Sequence, residues 1–286
     1  MTPVEARLTE RMADFTPSER RLGTHLARHY PVAALGSMTQ LAAAAGVSKP
    51  TVLRLLKKLG FKGYPDFQAA IRDEVEARLT SPILRHERWS GGVPDTHILN
   101  RFADAVLENL TATLKRIDHA EFDALAAILA DPGRRVFVAG GRITHALADY
   151  LVTQLRVMRP DVTLIAGRSS DWPPTLLDLS EGDLLLVFDI RRYEANILNL
   201  AAMAAGQGAV VALLTDPWVS PVAAHARFRF SAQVEVPSVW DSTVALQVLV
   251  ETLLAAVQDR AWEGTESRMQ RLEALYARVQ LFGRRS

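Results

Sequence analysis

The sequence predicts an α/β chain: an N-terminal all-α helix-turn-helix domain, then a doubly wound domain on a parallel sheet. Three observations carry that expectation. Four short, continuously apolar runs stand at residues 136–139 (VFVA), 162–165 (VTLI), 184–188 (LLLVF) and 210–214 (VVALL), a length that suits buried strands. Helical segments separate them at 144–158 and 194–205. Buried strands alternating with helices imply right-handed crossovers and a parallel sheet covered on both faces. Before residue 80 no convincing strand occurs, and short helical patterns follow one another instead.

In chain order, residues 1–79 form the first domain, 80–95 a linker, and 96–286 the second domain with flanking helices. The linker reading rests on two prolines and a Gly-Gly pair in TSPILRHERWSGGVPD. From Thr96 a helical pattern runs to Leu129, with Phe102, Val106, Leu110, Leu114 and Ile117 three or four residues apart, until Asp131-Pro132-Gly133 stops it. A shorter fifth strand fits 228–230, a further helix 239–258 and a last amphipathic helix 268–282. The stripe Met269, Leu272, Tyr276 and Val279 on that last helix packs either on its own domain or across a dimer.

A chain of 286 residues with 49% hydrophobic and 23% charged residues buries a core in each of two soluble domains. It has no cysteine, which excludes disulfides, thiolate metal sites and a cysteine nucleophile and fits a reducing cytoplasm. Glu5 and Glu10 interrupt any signal-peptide core, and no uncharged apolar stretch of about 18 residues exists to span a membrane. A cytoplasmic location is therefore expected. The net charge of +1 hides an asymmetry: residues 1–80 hold twelve Lys/Arg against eight Asp/Glu, and the remainder 21 against 24. Between residues 37 and 65 stand Lys49, Arg54, Lys57, Lys58 and Lys62 with no acidic residue, a local surplus that suits a polyanion.

The stretch 39–63, TQLAAAAGVSKPTVLRLLKKLGFKG, reads as two helices joined by a sharp turn at Gly46. Ser48 caps the second helix, Pro50 is tolerated in its first turn, and Gly60 closes it. Val52, Leu55, Leu56 and Leu59 form its buried stripe and leave Lys49, Thr51, Arg54, Lys57 and Lys58 outside. This is the arrangement that lays a recognition helix in the major groove of double-stranded DNA. By position, Lys49, Pro50 and Thr51 reach base edges, Ser48 and Arg54 reach bases or phosphate, and Lys57, Lys58 and Lys62 clamp phosphates. Thr39 and Gln40, opening the first helix, complete the expected contact set. A helical hairpin that packs on a partner protein is the alternative.

Several segments here resemble the RpiR-type (MurR/RpiR) transcriptional regulators: Phe15-Thr16-Pro17-Ser18-Glu19-Arg20, Met38-Thr39-Gln40-Leu41-Ala42, Gly46-Val47-Ser48-Lys49-Pro50-Thr51-Val52-Leu53-Arg54 and Lys57-Lys58-Leu59-Gly60-Phe61-Lys62-Gly63-Tyr64. The match runs nearly without gaps from Phe15 to Phe67. Members of that family join this domain to a SIS (sugar isomerase) domain that binds phosphosugars, the same order as the segmentation above. The resemblance implies a homodimer or homotetramer, an operator with two-fold symmetry, and DNA affinity set by a metabolite.

In open parallel sheets, ligands sit outside the carboxyl ends of the strands. Loops leave those ends at Gly140-Gly141-Arg142-Ile143-Thr144, at Asp189-Ile190-Arg191-Arg192-Tyr193-Glu194 and at Thr215-Asp216-Pro217. The first opens a helix whose amides favour an anion. Similarity to the SIS fold extends over residues 120–258, including Gly140, Thr144 and Ala148, and Ser220-Pro221-Val222-Ala223. The chain departs from it after the third strand. Phosphosugar-binding members carry a serine- and glycine-rich turn there; this chain has Asp189-Ile190-Arg191-Arg192-Tyr193-Glu194. Arg142 replaces the second glycine of the first loop, and Thr144 the usual serine. Two readings follow. Arg142, Arg191 and Arg192 offer guanidinium forks to an anionic effector, or Asp189 and Glu194 pair with those arginines and the loop serves structure or subunit contact; an uncharged ligand is the remaining alternative. Gly141, Thr144, Tyr193 and Ser242 join the expected effector site, although Asp241 and Ser242 also suit a helix cap.

Catalysis as a sugar-phosphate isomerase is the competing class, since it needs a carboxylate or histidine beside a carbonyl. His145 and Glu235 are the residues that would serve it. A DNA-binding protein whose second domain only oligomerises is the other alternative. The seven scattered histidines give no metal-ligand spacing and no P-loop is present, so neither metal nor cofactor is expected.

Overall fold

The computed structural model describes residues 4–79, 97–165 and 168–280, and the chain divides into two compact units, Met1–Arg85 and His86–Ser286. The expected linker at 80–95 lies outside the described residues.

The first unit is helical: α1 (Val4–Glu10), α2 (Pro17–Arg28), α3 (Val32–Leu35), α4 (Met38–Ala44), α5 (Lys49–Lys58) and α6 (Tyr64–Leu79). A capping box starts α2, with the Thr16 amide donating to Glu19 Oε2 at 2.8 Å and the Glu19 amide to Thr16 Oγ1 at 3.4 Å. Leu22 and Leu26 of α2, Leu41 of α4, Val52, Leu55 and Leu56 of α5, and Phe67 and Ile71 of α6 make one buried core. Each such side chain contributes about 1.5–3 kcal/mol on burial, which holds helices this short in place.

The second unit begins with α7 (Ile98–Leu114) and α8 (His119–Ala130). One continuous helix to Leu129 was the expectation; the chain breaks at residues 115–118 because Asp118 caps a new helix, accepting from the amides of Ala120 at 2.8 Å and Glu121 at 3.1 Å. There follow β1 (Val136–Gly140), α9 (His145–Met158), β2 (Val162–Leu164), α10 (Trp172–Asp178), β3 (Leu184–Asp189), α11 (Ala195–Gly206), β4 (Val210–Thr215), β5 (Phe228–Ser231), α12 (Val244–Arg260) and α13 (Trp262–Val279). The five strands pair in parallel in the order β2-β1-β3-β4-β5.

Alternate residues of β1, β3 and β4 serve two cores. Val136, Val138, Leu184, Leu186 and Phe188 pack with Leu125, Leu151, Leu155, Leu249 and Leu253 of α8, α9 and α12. Phe137, Leu185, Val187 and Leu213 pack with Trp172, Ile197 and Leu200 of α10 and α11. Burial on both faces explains why the strands read as unbroken apolar runs. Two boundaries differ from expectation: α12 starts at Val244 rather than 239, which leaves Trp240 and Asp241 in a loop, and α13 starts at Trp262 rather than 268.

Candidate functional site

In the first unit, the Ser37 amide donates to Gln40 Oε1 at 2.8 Å and Ser37 Oγ accepts from the Gln40 amide at 3.2 Å, so the Gln40 side chain caps α4. Gly46 turns the chain at φ +63°, with open space where a Cβ would point, so backbone conformation alone demands the glycine. The Val47 amide closes α4 on the Ala42 carbonyl at 2.9 Å, and Ser48 Oγ caps α5 through the Thr51 amide. Thr39, Ser48, Lys49, Pro50, Arg54, Lys57 and Lys62 are exposed, as is Gln40.

Two of the expected DNA contacts stand elsewhere. Thr51 is buried, its hydroxyl 2.9 Å from Ser48 Oγ, because residue 51 lies one turn before Leu55 and shares the core-facing arc. It works as part of the cap rather than on the open face. Lys58 is half-buried: its Nζ sits 2.8 Å from Glu19 Oε2 and 3.0 Å from the Asp14 carbonyl, tying α5 to α2. Burial pushes the Glu19 carboxyl up, but Lys58 and the Thr16 amide outweigh it and hold the group below its ordinary value. Beyond these, Arg7 and Arg11 donate to the carbonyls of Leu59 and Lys58, satisfying groups that the end of α5 leaves open. Leu53, 38% exposed, lies in the row Lys49-Leu53-Lys57 and was not among the expected contacts, although its i+4 spacing signals it; an apolar side chain there suits a thymine methyl.

In the second unit, β1 and β3 are neighbours whose following loops lead to opposite faces of the sheet, and their carboxyl ends define the crevice. Gly140 lets the first loop close: a Cβ there would meet the Thr144 carbonyl at 2.6 Å. Thr144 is buried and spends its hydroxyl on the Phe188 carbonyl at 2.8 Å, pinning the loop to β3. The Arg142 amide donates to Glu194 Oε1 at 2.7 Å, and a Cβ at Gly141 would come within 2.9 Å of the same oxygen. A side-chain carboxylate thus fills the amide position at which an external anion was expected.

The arginines divide. Arg191, with φ +56°, is buried; its Nε lies 3.1 Å from both carboxylate oxygens of Asp241, its Nη2 2.9 Å from Glu235 Oε1, and its guanidinium 3.6 Å from the centre of the Trp218 ring. Arginine–carboxylate pairing does occur here, but with Glu235 and Asp241 in place of Asp189 and Glu194. Asp241 is therefore a crevice residue rather than a cap, and Glu235 has a partner that the sequence did not reveal. Ser242 is buried and accepts from the Val244 amide at 3.3 Å. Arg142 and Arg192 are exposed.

Behind this layer lie two buried carboxyls. Asp216 accepts from Tyr193 Oη at 2.6 Å, from the Arg191 amide at 2.5 Å and from the Trp218 amide at 3.1 Å. Burial still raises its pKa against these bonds. Asp189 accepts from the Ser220 hydroxyl. Burial drives it up to about 7; the Ser220 hydrogen bond opposes the rise and the charge of Asp216 adds to it. His145 Nδ1 is buried without a hydrogen-bond partner among the described residues. No cluster fit to hold a metal occurs among those residues, and no described helix is long and apolar enough to cross a membrane.

A capped helix-turn-helix with a cationic outer face, joined to a parallel α/β domain with a crevice at its switch point, defines a two-domain DNA-binding regulator. Residues 2–78 match the family model of the rpiR-family helix-turn-helix domain, and residues 128–256 that of the SIS domain. The HTH-type transcriptional regulator YfhH of Escherichia coli (strain K12) is 23% identical over 279 residues, covering 96% of this chain and 98% of its own. By this pair of domains the chain belongs to the RpiR-type transcriptional regulators. Two solved structures share the fold, each with a TM-score of 0.57. The Vibrio vulnificus NanR protein complexed with ManNAc-6P is 19% identical and covers 98% of this chain and 100% of its own. The sugar isomerase domain of the Sphaerobacter thermophilus RpiR transcription factor is 26% identical and covers 62% of this chain and 97% of its own.

Proposed function

We propose that this regulator grips an operator through α5 and that a small molecule in the crevice of its SIS domain sets the grip. The observation that carries the first half is the exposed row Lys49, Leu53, Arg54 and Lys57 on a helix whose opposite face is fully committed to the core. Lys49 and Pro50 stand at the helix start, where base edges are read; Lys57 and Lys62 stand where phosphates run. A homodimer or homotetramer places two such helices in successive major grooves, about 34 Å apart.

Sensing rather than catalysis is favoured because three of the carboxyls that would move a proton are engaged: Asp189 by Ser220, Asp216 by Tyr193, and Glu235 by Arg191. A ligand at this place is supported by the position of the crevice and by NanR, which shares the fold and holds ManNAc-6P.

The test is a mobility-shift titration on the DNA flanking the gene, with wild type, Lys49→Ala and Arg54→Ala. If each protomer neutralises about four phosphates, log affinity falls with log salt with a slope near about −7 for a dimer. Both variants should bind the specific site more weakly. Undiminished specific binding by both refutes the groove assignment.

A further inference from the structure

Glu194 is the informative residue of the crevice. It closes the loop after β3, and its Oε1 takes the amide of Arg142 in the loop that leads into α9. The contact is close: a Cβ at Gly141 would approach that oxygen to 2.9 Å, so the carboxylate would have to shift. The amide that would receive an external oxyanion already holds an internal one. The neighbouring cation is no freer, since Arg191 lies between Asp241 and Glu235 and stacks on Trp218. Arg142 and Arg192 extend into solvent, where isolated charges attract an anion weakly. Glu194 Oε2, by contrast, makes no hydrogen bond among the described residues, and a carboxylate oxygen in that state accepts from a hydroxyl.

We propose that Glu194 is the resident anion of the crevice and that the ligand is a hydroxyl-bearing sugar or polyol with no phosphate or carboxylate at this loop. An oxyanion entering beside Glu194 would bring two like charges to the same amide, whereas a hydroxyl donates to Oε2 and leaves the Arg142 bond intact. This rests on the crevice being the ligand site of the regulator.

The experiment is calorimetric titration of the full-length protein with inorganic phosphate, with glucose 6-phosphate, and with a panel of unphosphorylated sugars and polyols. Wild type should be silent to both phosphates and should respond to a member of the neutral panel. Glu194→Ser, which frees the Arg142 amide and supplies a hydroxyl, should bind phosphate at least about tenfold more tightly than wild type, about 1.4 kcal/mol. Wild type taking up glucose 6-phosphate as tightly as Glu194→Ser overturns the proposal and leaves the crevice as a ligand site. Glu194→Ser remaining as indifferent to phosphate as wild type overturns the resident-anion role. If no probe, charged or neutral, binds either protein, the ligand-site reading falls together with the proposal. The wild-type titrations decide even where Glu194→Ser does not fold.

Discussion

Asp189 offers a quantitative test of the crevice floor. In the unfolded chain its carboxyl ionises near 3.8; buried at the end of β3 against Ser220, it ionises near about 7. Between those values the folded protein holds a proton that the unfolded chain has released. Stability contributed by this group is therefore full below pH 4 and is lost as pH rises through 7. A shift of about 3 units at about 1.36 kcal/mol each corresponds to roughly 4 kcal/mol at most between pH 4 and 8. Asp189→Asn keeps an acceptor for the Ser220 hydroxyl and cannot ionise. Asp216, raised in the same direction by burial, remains in both proteins, so their difference reports Asp189 together with its repulsion from Asp216. The assay is urea unfolding followed by tryptophan fluorescence, since Trp172, Trp218, Trp240 and Trp262 lie in the second domain and the first domain has no tryptophan. The stability gain of Asp189→Asn over wild type should grow from near zero at pH 4 to several kcal/mol at pH 8. Parallel profiles for the two proteins across that range would refute the buried-carboxyl account.

Lys58→Ala should lower first-domain stability by about 1–3 kcal/mol, because it strands the buried Glu19 carboxylate; the half-exposed ammonium keeps the loss below that of a fully buried pair. Lys57→Ala should leave melting unchanged and reduce the salt slope of DNA binding by about 1 per protomer; equal melting losses in the two variants, followed by circular dichroism, would contradict this division. Gly46→Ala should cost about 1–2 kcal/mol through its φ of +63° alone, and a raised melting temperature would show the turn to be different. Arg191→Ala should cost about 2–4 kcal/mol by leaving Asp241 and Glu235 without their cation. Arg191→Lys should recover little of it, since one ammonium cannot face both carboxylates and stack on Trp218; recovery of wild-type stability by the lysine would contradict the fork geometry.

The sheet and the helix-turn-helix were legible in the sequence because their signals are local. Strand runs such as 184–188 are apolar on both faces, and Gly46 and Ser48 punctuate the two helices within three residues. The break at 115–118 was missed because the apolar spacing from Phe102 to Ile117 continues in phase across it, and only the Asp118 side chain marks the restart. Helix α10 hid in the β2–β3 crossover, where Trp172 is followed by two prolines that occupy its first turn. At the crevice, the sequence displayed the charges and concealed their partners. Arg191 meets Glu235 and Asp241, 44 and 50 residues away, closer in space than Asp189 and Glu194 only because the 235–241 segment returns over the ends of β3 and β4. Thr51 was misplaced for a simpler reason: an arc holding residues 51, 52, 55, 56 and 59 is wider than the four-residue stripe first drawn.

The loop after β3 also bears on how much energy a ligand needs to control DNA binding. A ligand shifts an equilibrium only by its differential affinity for two states, and a coupling of about 1–3 kcal/mol changes affinity about 5- to 150-fold. A hydrogen bond to a charged acceptor is itself worth about 1.5–3 kcal/mol. The bond from the Arg142 amide to Glu194 joins the start of α9 to the start of α11 across the switch point, so a second hydrogen bond to the same carboxylate, made in one state and not in the other, supplies energy of the required size while that bond stays in place. The remaining floor does not have to move: Thr144 on Phe188, Thr215 on Asp189, and Tyr193 on Asp216 are buried or half-buried bonds that fix the ends of β1, β3 and β4. A rigid floor with one resident anion above it concentrates a small binding energy on a single side chain, and Glu194 is where substitutions should uncouple ligand from operator without unfolding the domain.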